Sequence, residues 1–269
     1  MSAFLDLHVP GTPLVMPNPW DVGSAVMLQN LGAQALGSTS AGAAFASAAG
    51  NGDLFLDDML NAATAINDAT HVPVSADLEN GGGDSPDAAA QAVRQAAQAG
   101  LAGVSIEDLG HADGDPIYPF DQALARVEAA VQAASESGIV LTARSEGLLT
   151  GTLTLDQVCD RMRAFARAGA HVVFAPGLKS DADVRAVMHT AGDIPVSVLV
   201  GGPNPDLTVP KLAALGVARI SVGSGLARVA YGAALAVMRA ALTDGTFPYP
   251  DTTASFADIE DLLRPDKAR

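Results

Sequence analysis

Eight short β-rich runs recur along this 269-residue chain, separated by longer alanine-rich stretches with helical spacing. The runs are LVMPN near Leu14, ALGSTS near Leu36, VPVSADL near Val74, AGVSIED near Val104, IVLTAR near Val140, AHVVFA near Val172, IPVSVLV near Val196 and ARISVG near Ile220. Segments such as SPDAAAQAVRQAAQAG and LDQVCDRMRAFARAG fill the intervals, several closing on a glycine that can stand past a helix end. Apolar strands alternating with helices imply a parallel sheet, because each crossover lays a helix on the sheet face. Eight such units predict closure into a (β/α)8 TIM barrel, which uses roughly 250 residues. An open doubly wound sheet is the competing architecture, but PNPWDVGSAV after the first strand lacks the glycine spacing of a dinucleotide fingerprint. The pattern continues without a linker, which predicts one barrel domain over residues 1–242 and a loop with a short acidic helix over 243–269.

Composition narrows the partners. With 49% hydrophobic and 17% charged residues, the chain can bury a substantial core. A formal charge of -15 repels nucleic acid and anionic membrane over most of the surface. The first residues lack a basic, then apolar, leader pattern, and no uninterrupted apolar run reaches the ~20 residues that cross a bilayer. The expectation is a cytoplasmic protein with no nucleic-acid and no membrane partner. Cys159 is the one cysteine, so no internal disulfide forms, and its helical context reads as a small apolar side chain.

The chemistry gathers where strands end. In VSADLENGGG, period-two alternation sends Ser75, Asp77 and Glu79 to one side and Val74 and Ala76 to the other, and the three glycines that follow permit a tight turn close to a ligand. GVSIEDLG repeats the arrangement, with Ser105 and Glu107 on one face and Asp108 on the other. In a barrel these strand ends line the catalytic mouth. Carboxylates crowded there repel unless they share a cation or a proton, and a hard ion such as Mg²⁺ answers that with few protein ligands. The alternative is a solvated Glu79 that caps a turn.

Arg144, in phase with Thr142, suits a bidentate grip on a substrate carboxylate; its structural alternative is an internal salt bridge to Glu107 or Glu79. Trp20 follows the first strand, and Ser38, Ser40 and Gly42 follow the second, where hydroxyl and backbone N–H donors can hold a carboxylate. His111, in the loop after Glu107, is a candidate acid or base over the mouth. The other histidines, His8, His71, His171 and His189, lack metal spacing and read as surface or helix-adjacent positions.

PNPWDVGSA, TSAG, SADLENGGG, GVSIED and LTARSEG, in that order, resemble the isocitrate lyase and phosphoenolpyruvate mutase superfamily from about Leu14 to Leu242, and more closely its oxaloacetate-decarboxylase-like or uncharacterised branch. The resemblance implies an α/β barrel that binds Mg²⁺ or Mn²⁺ and makes or breaks C–C or P–C bonds in small 2-oxo or 2-hydroxy acids. It also implies a homodimer or homotetramer with an exchanged C-terminal helix. By motif, Asp77 contacts the metal, with Glu79 and Glu107 completing its inner or water-mediated shell. Arg144 clamps the substrate carboxylate, Ser40, Ala41 and Gly42 hold the oxo acid, and Trp20 stands at the mouth. Asn51 is the nearest match to a family aspartate unless a gap moves that role to Asp53, and Ser197 or Leu199 lies near a position that is often asparagine.

The departures bear on the reaction. The loop LGHADGDPIYPF carries neither the cysteine nor the lysine of the cysteine-dependent lyases, and Pro176 replaces a glutamate or histidine. The expected function is therefore a metal-dependent C–C lyase or decarboxylase for a small 2-oxo or 2-hydroxy (di)carboxylic acid, working through a metal-stabilised enolate. The alternatives are a P–C bond mutase or hydrolase, and a catalytically decayed barrel that binds a metabolite.

Overall fold

A computed structural model describes residues 3–110 and 117–264. Its strands are β1 (Leu14–Met16), β2 (Leu36–Gly37), β3 (Val74–Asp77), β4 (Gly103–Glu107), β5 (Val140–Arg144), β6 (Val172–Phe174), β7 (Val196–Leu199) and β8 (Arg219–Ser221). Each falls on one of the eight β-rich runs. They pair in parallel in the order β1-β8-β7-β6-β5-β4-β3-β2, a nearly closed barrel. The two ends of this ladder meet through Gly37 N, which donates to Pro17 O at 3.1 Å. The Asn18 amide completes the seam: Nδ2 donates to the carbonyls of Gly37 and Ser38, while Oδ1 accepts from the backbone N–H groups of Val222 and Gly223.

Helices α1 (Val22–Asn30), α2 (Ser40–Ala46), α3 (Leu56–Asp68), α4 (Pro86–Gln98), α5 (Phe120–Ser137), α6 (Gly147–Thr150), α7 (Leu155–Ala168), α8 (Asp181–Ala191) and α9 (Val209–Ala214) follow the strands. Local chemistry starts and stops them. Ser85 caps α4, which has Pro86 in its first turn, and Thr154 and Gln157 form a reciprocal capping box on α7. Gly138 and Gly169 end α5 and α7 in the left-handed region. Outward strand residues such as Val74, Ala76, Val104, Ile106 and Leu141 pack under α3 to α5, and Ala143, Val173, Val196, Val198 and Ile220 pack under α7 to α9. Burial of these apolar faces, at roughly 25 cal/mol per Å², is the main force holding helices to barrel.

The inward-facing residues are unusually polar. Thr142, Ser197 and Arg219 meet inside the barrel, where Arg219 Nε donates to Ser197 Oγ at 2.9 Å and Nη1 to Thr142 Oγ1 at 3.1 Å. The N-terminal segment plugs the lower end. Phe4 is buried beneath Gly103, where a Cβ would come within 2.6 Å of the Phe4 ring. His8 is buried too, its ring packed edge-on to Phe4, and burial and Arg219 push its pKa down to about 4. The imidazole is therefore neutral at pH 7. Its Nδ1 donates to Phe4 O at 3.0 Å, leaving Nε2 to face Arg219 Nη1 at 3.4 Å. This corrects the sequence expectation for His8: it stands too early for any strand or helix pattern, yet the chain folds back and seats it in the floor.

Two helices follow the last strand, α10 (Gly225–Asp244) and α11 (Phe256–Leu263). Among the residues of α10 only Ala227 and Val237 are buried, and Val229, Leu235, Met238 and Leu242 are exposed. α11 packs against α1, and Asn30 Nδ2 donates to Leu262 O at 2.7 Å. By length and composition α10 is apolar enough to cross a bilayer, which the sequence expectation did not anticipate because Arg228 and Arg239 interrupt its apolar run.

Candidate active site

A cavity of about 510 Å³ opens at the C-terminal ends of the strands. Asp77 ends β3, Glu107 ends β4 and Arg144 ends β5, so strand pairing alone brings the three side by side, with Glu107 directly opposite Arg144 in the ladder. Arg144 Nη1 reaches Asp77 Oδ1 at 3.2 Å, and Nε reaches Glu107 Oε2 at 3.3 Å and also pairs with Glu146. The guanidinium carbon lies over the Phe174 ring, 5.4 Å from its centroid, within cation–π range. Ser38 and Ser40 approach from the end of β2. Ser40 N and Oγ both donate to Asp77 Oδ2, at 3.2 and 3.1 Å, and Asp77 N donates to Ser38 Oγ at 2.9 Å.

Electrostatics divide the carboxylates. Glu107 and Glu146 have side chains only 4% exposed, whereas Asp77 is 18% exposed and most open to the cavity. Burial raises Glu107 well above the ordinary carboxylate range; Arg144 opposes this, and Glu146, Asp77 and Glu79 add to it. Burial works against the charge of Arg144, but Glu107, then Glu146 and Asp77, hold its pKa well above the ordinary value. Glu79 lies just past β3 with φ 49°, in the left-handed region, and its side chain is buried at the cavity wall. Gly81 and Gly82 share that positive φ, and Gly82 N donates to Asn80 Oδ1. Arg126, from α5, grips this turn through the carbonyls of Gly83, Ser85 and Asn80.

The expected site residues are distributed as follows. Ser38, Ser40, Ala41, Asn51, Asp77, Glu79, Glu107 and Arg144 all line the cavity. Trp20 lies in a separate small recess with Pro19 and Met59 and backs Gly42, where a Cβ would stand 2.8 Å from Trp20 Cβ. Gly42 is thus packed against Trp20 and does not line the cavity, because Thr39 and Trp20 fill the space around its Cα. Ser197 is fully buried inside the barrel and bonded to Arg219; Leu199, two residues on, lines the cavity instead. His111 lies outside the described residues. Asp108 points away from Glu107, accepting from Ser145 Oγ, Glu146 N and Arg161 Nη1. Cys159 is buried on α7 beneath the helix layer, and burial raises its thiol pKa.

Glu146, Asn18 and Arg219 escaped the sequence reading although all three line the cavity. For Glu146 a signal existed, since it follows Arg144 by two residues. The other two carried none.

Four carboxylates, Asp77, Glu79, Glu107 and Glu146, crowd one wall of the cavity, and Arg144 pairs with three of them. Among the described residues no three of His, Cys, Asp and Glu converge into a metal cage. The donor set nevertheless fits a hard ion that keeps most of its waters, because Asp77 presents a partly open carboxylate amid excess negative charge.

A parallel barrel with acids and an arginine at its strand ends defines a class of enzymes that act on small anionic substrates. The chain matches the phosphoenolpyruvate phosphomutase family over residues 4–242 and belongs to the phosphoenolpyruvate mutase/isocitrate lyase superfamily. A candidate lyase/mutase from Burkholderia cenocepacia J2315 superposes with a TM-score of 0.90 at 41% identity, covering 96% of this chain and 93% of that one. The 2,3-dimethylmalate lyase of Eubacterium barkeri is 27% identical over 267 residues, which is 95% of this chain and 91% of the relative. Oxaloacetate acetylhydrolase, solved with the inhibitor 3,3-difluorooxalacetate, superposes with a TM-score of 0.82 at 25% identity, covering 98% of this chain and 93% of its own. The superfamily's chemistry, lyase and mutase reactions of small oxo and hydroxy acids, is the level at which these likenesses assign the chain.

Proposed function

We propose that the protein is a carbon–carbon lyase or decarboxylase acting on a small 2-oxo or 2-hydroxy (di)carboxylic acid, with Mg²⁺ or Mn²⁺ held at Asp77 and, directly or through water, at Glu79 and Glu107. The observation that carries this reading is the placement of Arg144 and Asp77, 3.2 Å apart, in one cavity. A planar two-donor fork for a carboxylate stands beside an anion that a hard cation would neutralise. When bound, the ion supplies the positive charge that stabilises an enolate oxygen.

The chain's own residues supply the rest. Arg144, which lies over the Phe174 ring, orients the substrate carboxylate. Ser40 holds the Asp77 carboxylate through its N–H and hydroxyl, and Ser38 Oγ accepts from the Asp77 backbone N–H, so residue and side chain are both positioned before any ligand arrives. Glu107, whose charge burial disfavours, is balanced by Arg144 at 3.3 Å and would be balanced further by the ion. Cys159 is remote from these groups, so the reading uses no thiol. The names of the relatives, a dimethylmalate lyase and an oxaloacetate acetylhydrolase, support a small acid with more than one carboxylate.

Calorimetric titration with Mn²⁺ tests the metal. Asp77→Asn should weaken binding by about tenfold or more, and unchanged affinity rejects the assignment. A panel of 2-oxo and 2-hydroxy acids, each with Mg²⁺ or Mn²⁺, then tests turnover, and a phosphonate in the same panel tests P–C cleavage. A second reading, a binding barrel without turnover, draws on the engagement of Arg144 by Asp77, Glu107 and Glu146 within the protein itself. Tight oxalate binding without depletion of any panel member would favour it. The apolar face of α10 supports assembly as a dimer or tetramer in which a second copy covers it, and light scattering across a dilution series reads that out.

A further inference from the structure

Below the layer formed by Asp77, Glu107 and Arg144, the same cavity ends on a second guanidinium. Arg219 is 3% exposed and lines the cavity, and its Nε and Nη1 are taken by Ser197, Thr142 and His8. Nη2 makes neither a hydrogen bond nor an ion pair among the described residues. Every partner of Arg219 is uncharged: two hydroxyls and an imidazole that is neutral at pH 7. Burial lowers the guanidinium pKa to about 10, which leaves it a full cation at pH 7. Two further polar groups face the same space without a side-chain partner among the described residues, the hydroxyls of Ser75 and Ser221, each 5% exposed. Ser221 lies two residues beyond Arg219 on β8, so both side chains point to the same side of the sheet.

A buried cation without a counter-charge carries a desolvation penalty that neutral hydroxyls offset only in part. Water can fill the space and satisfy donors, but it brings no charge. The three unengaged groups are an N–H donor and two hydroxyls able to donate, a set suited to a small anion and not to a cation. We infer that the floor of this cavity is a binding site for a small monovalent anion, a halide or a single carboxylate group, held by Arg219 Nη2 with the hydroxyls of Ser221 and Ser75. The site is distinct from the Arg144 clamp and rests on neither the proposed reaction nor the proposed metal.

The test uses the full chain in EDTA, so that no divalent ion contributes. Melting temperature is followed while sodium methanesulfonate, whose anion carries no carboxylate and is not a halide, is exchanged for sodium bromide or sodium formate at constant ionic strength. The expected result is a saturable rise in bromide, formate or both; the more effective salt shows whether the site prefers a halide or a carboxylate. Crystals grown in bromide should show an anomalous peak within hydrogen-bonding distance of Nη2. Arg219→Gln should remove the peak and raise the half-saturating concentration by about tenfold or more, as expected for loss of a charge-assisted hydrogen bond. If Arg219→Gln does not fold, Ser221→Ala, which removes the hydroxyl and adds no bulk, serves in its place and should weaken saturation by about threefold or more. A melting temperature that follows ionic strength alone overturns the inference. So does density fitted by water only, or a peak that survives in the variant and marks an adventitious ion only.

Discussion

His8 gives the structure a measurable acid sensitivity. Its pKa falls from the ordinary 6.5 to about 4 because burial, and then Arg219, disfavour the imidazolium. The unfolded chain binds this proton more readily than the folded one, so stability is fully present above pH 6.5 and is lost as pH falls toward 4. The whole shift corresponds to about 3 kcal/mol, of which about 2 kcal/mol is lost between pH 7.5 and pH 5.0. That interval keeps the protein above its isoelectric point of about 4.4, where low net charge would promote precipitation. The perturbation is His8→Gln, since a glutamine amide can accept from Arg219 and donate to Phe4 O but does not titrate. Urea unfolding at the two pH values, at fixed ionic strength, should show the unsubstituted protein losing about 2 kcal/mol more than the variant. Equal losses, within about 0.5 kcal/mol, would refute the burial argument.

Three further outcomes follow from the packing. Asp108→Asn should lower the melting temperature by about 6 to 10 °C, because a buried pair with Arg161 worth about 3 to 5 kcal/mol on disruption is broken and the Ser145–Glu146 turn loses one of its two acceptor oxygens; a differential scan that moves by less than about 2 °C contradicts this. Gly103→Ala should cost about 1 to 3 kcal/mol in urea unfolding, since its methyl group meets the Phe4 ring, and adding Phe4→Leu should restore part of the loss. Cys159→Ala should cost about 1 kcal/mol and leave Mn²⁺ affinity unchanged; weakened binding in the folded variant would place the thiol in the site after all.

The strands were legible because their chemistry is periodic. Ser75 and Asp77, Ser105 and Glu107, and Thr142 and Arg144 sit in phase, and parallel pairing brings their ends together whatever the helices do. Legibility stops where periodicity stops. Glu146 lies in the turn past β5, where two-residue spacing no longer says which way a side chain points. Arg219 opens β8 and would ordinarily read as a solvated strand end; only its neighbours across the barrel, Ser197 and Thr142, explain its burial. Ser197 shows the converse, a strand residue in the right place along the sequence but one layer too deep. α10 has the composition of an ordinary covering helix, and nothing in its pattern says that it stands off its own barrel.

The seam beside β1 and β2 makes the barrel mechanically uneven. Seven of its eight junctions are continuous parallel ladders, but the eighth is fastened by Gly37 N to Pro17 O and by one amide side chain, Asn18, that spans three strand ends. A cylinder built this way is a rolled sheet with a clasp. Low-energy opening concentrates where the fewest bonds must break, so the wall should part along this line before any other. Ser38 and Ser40 sit immediately beyond the clasp and hold Asp77 from that side. Loosening Asn18 would therefore unhinge one wall of the cavity while leaving Glu107 and Arg144 on the opposite ladder in register.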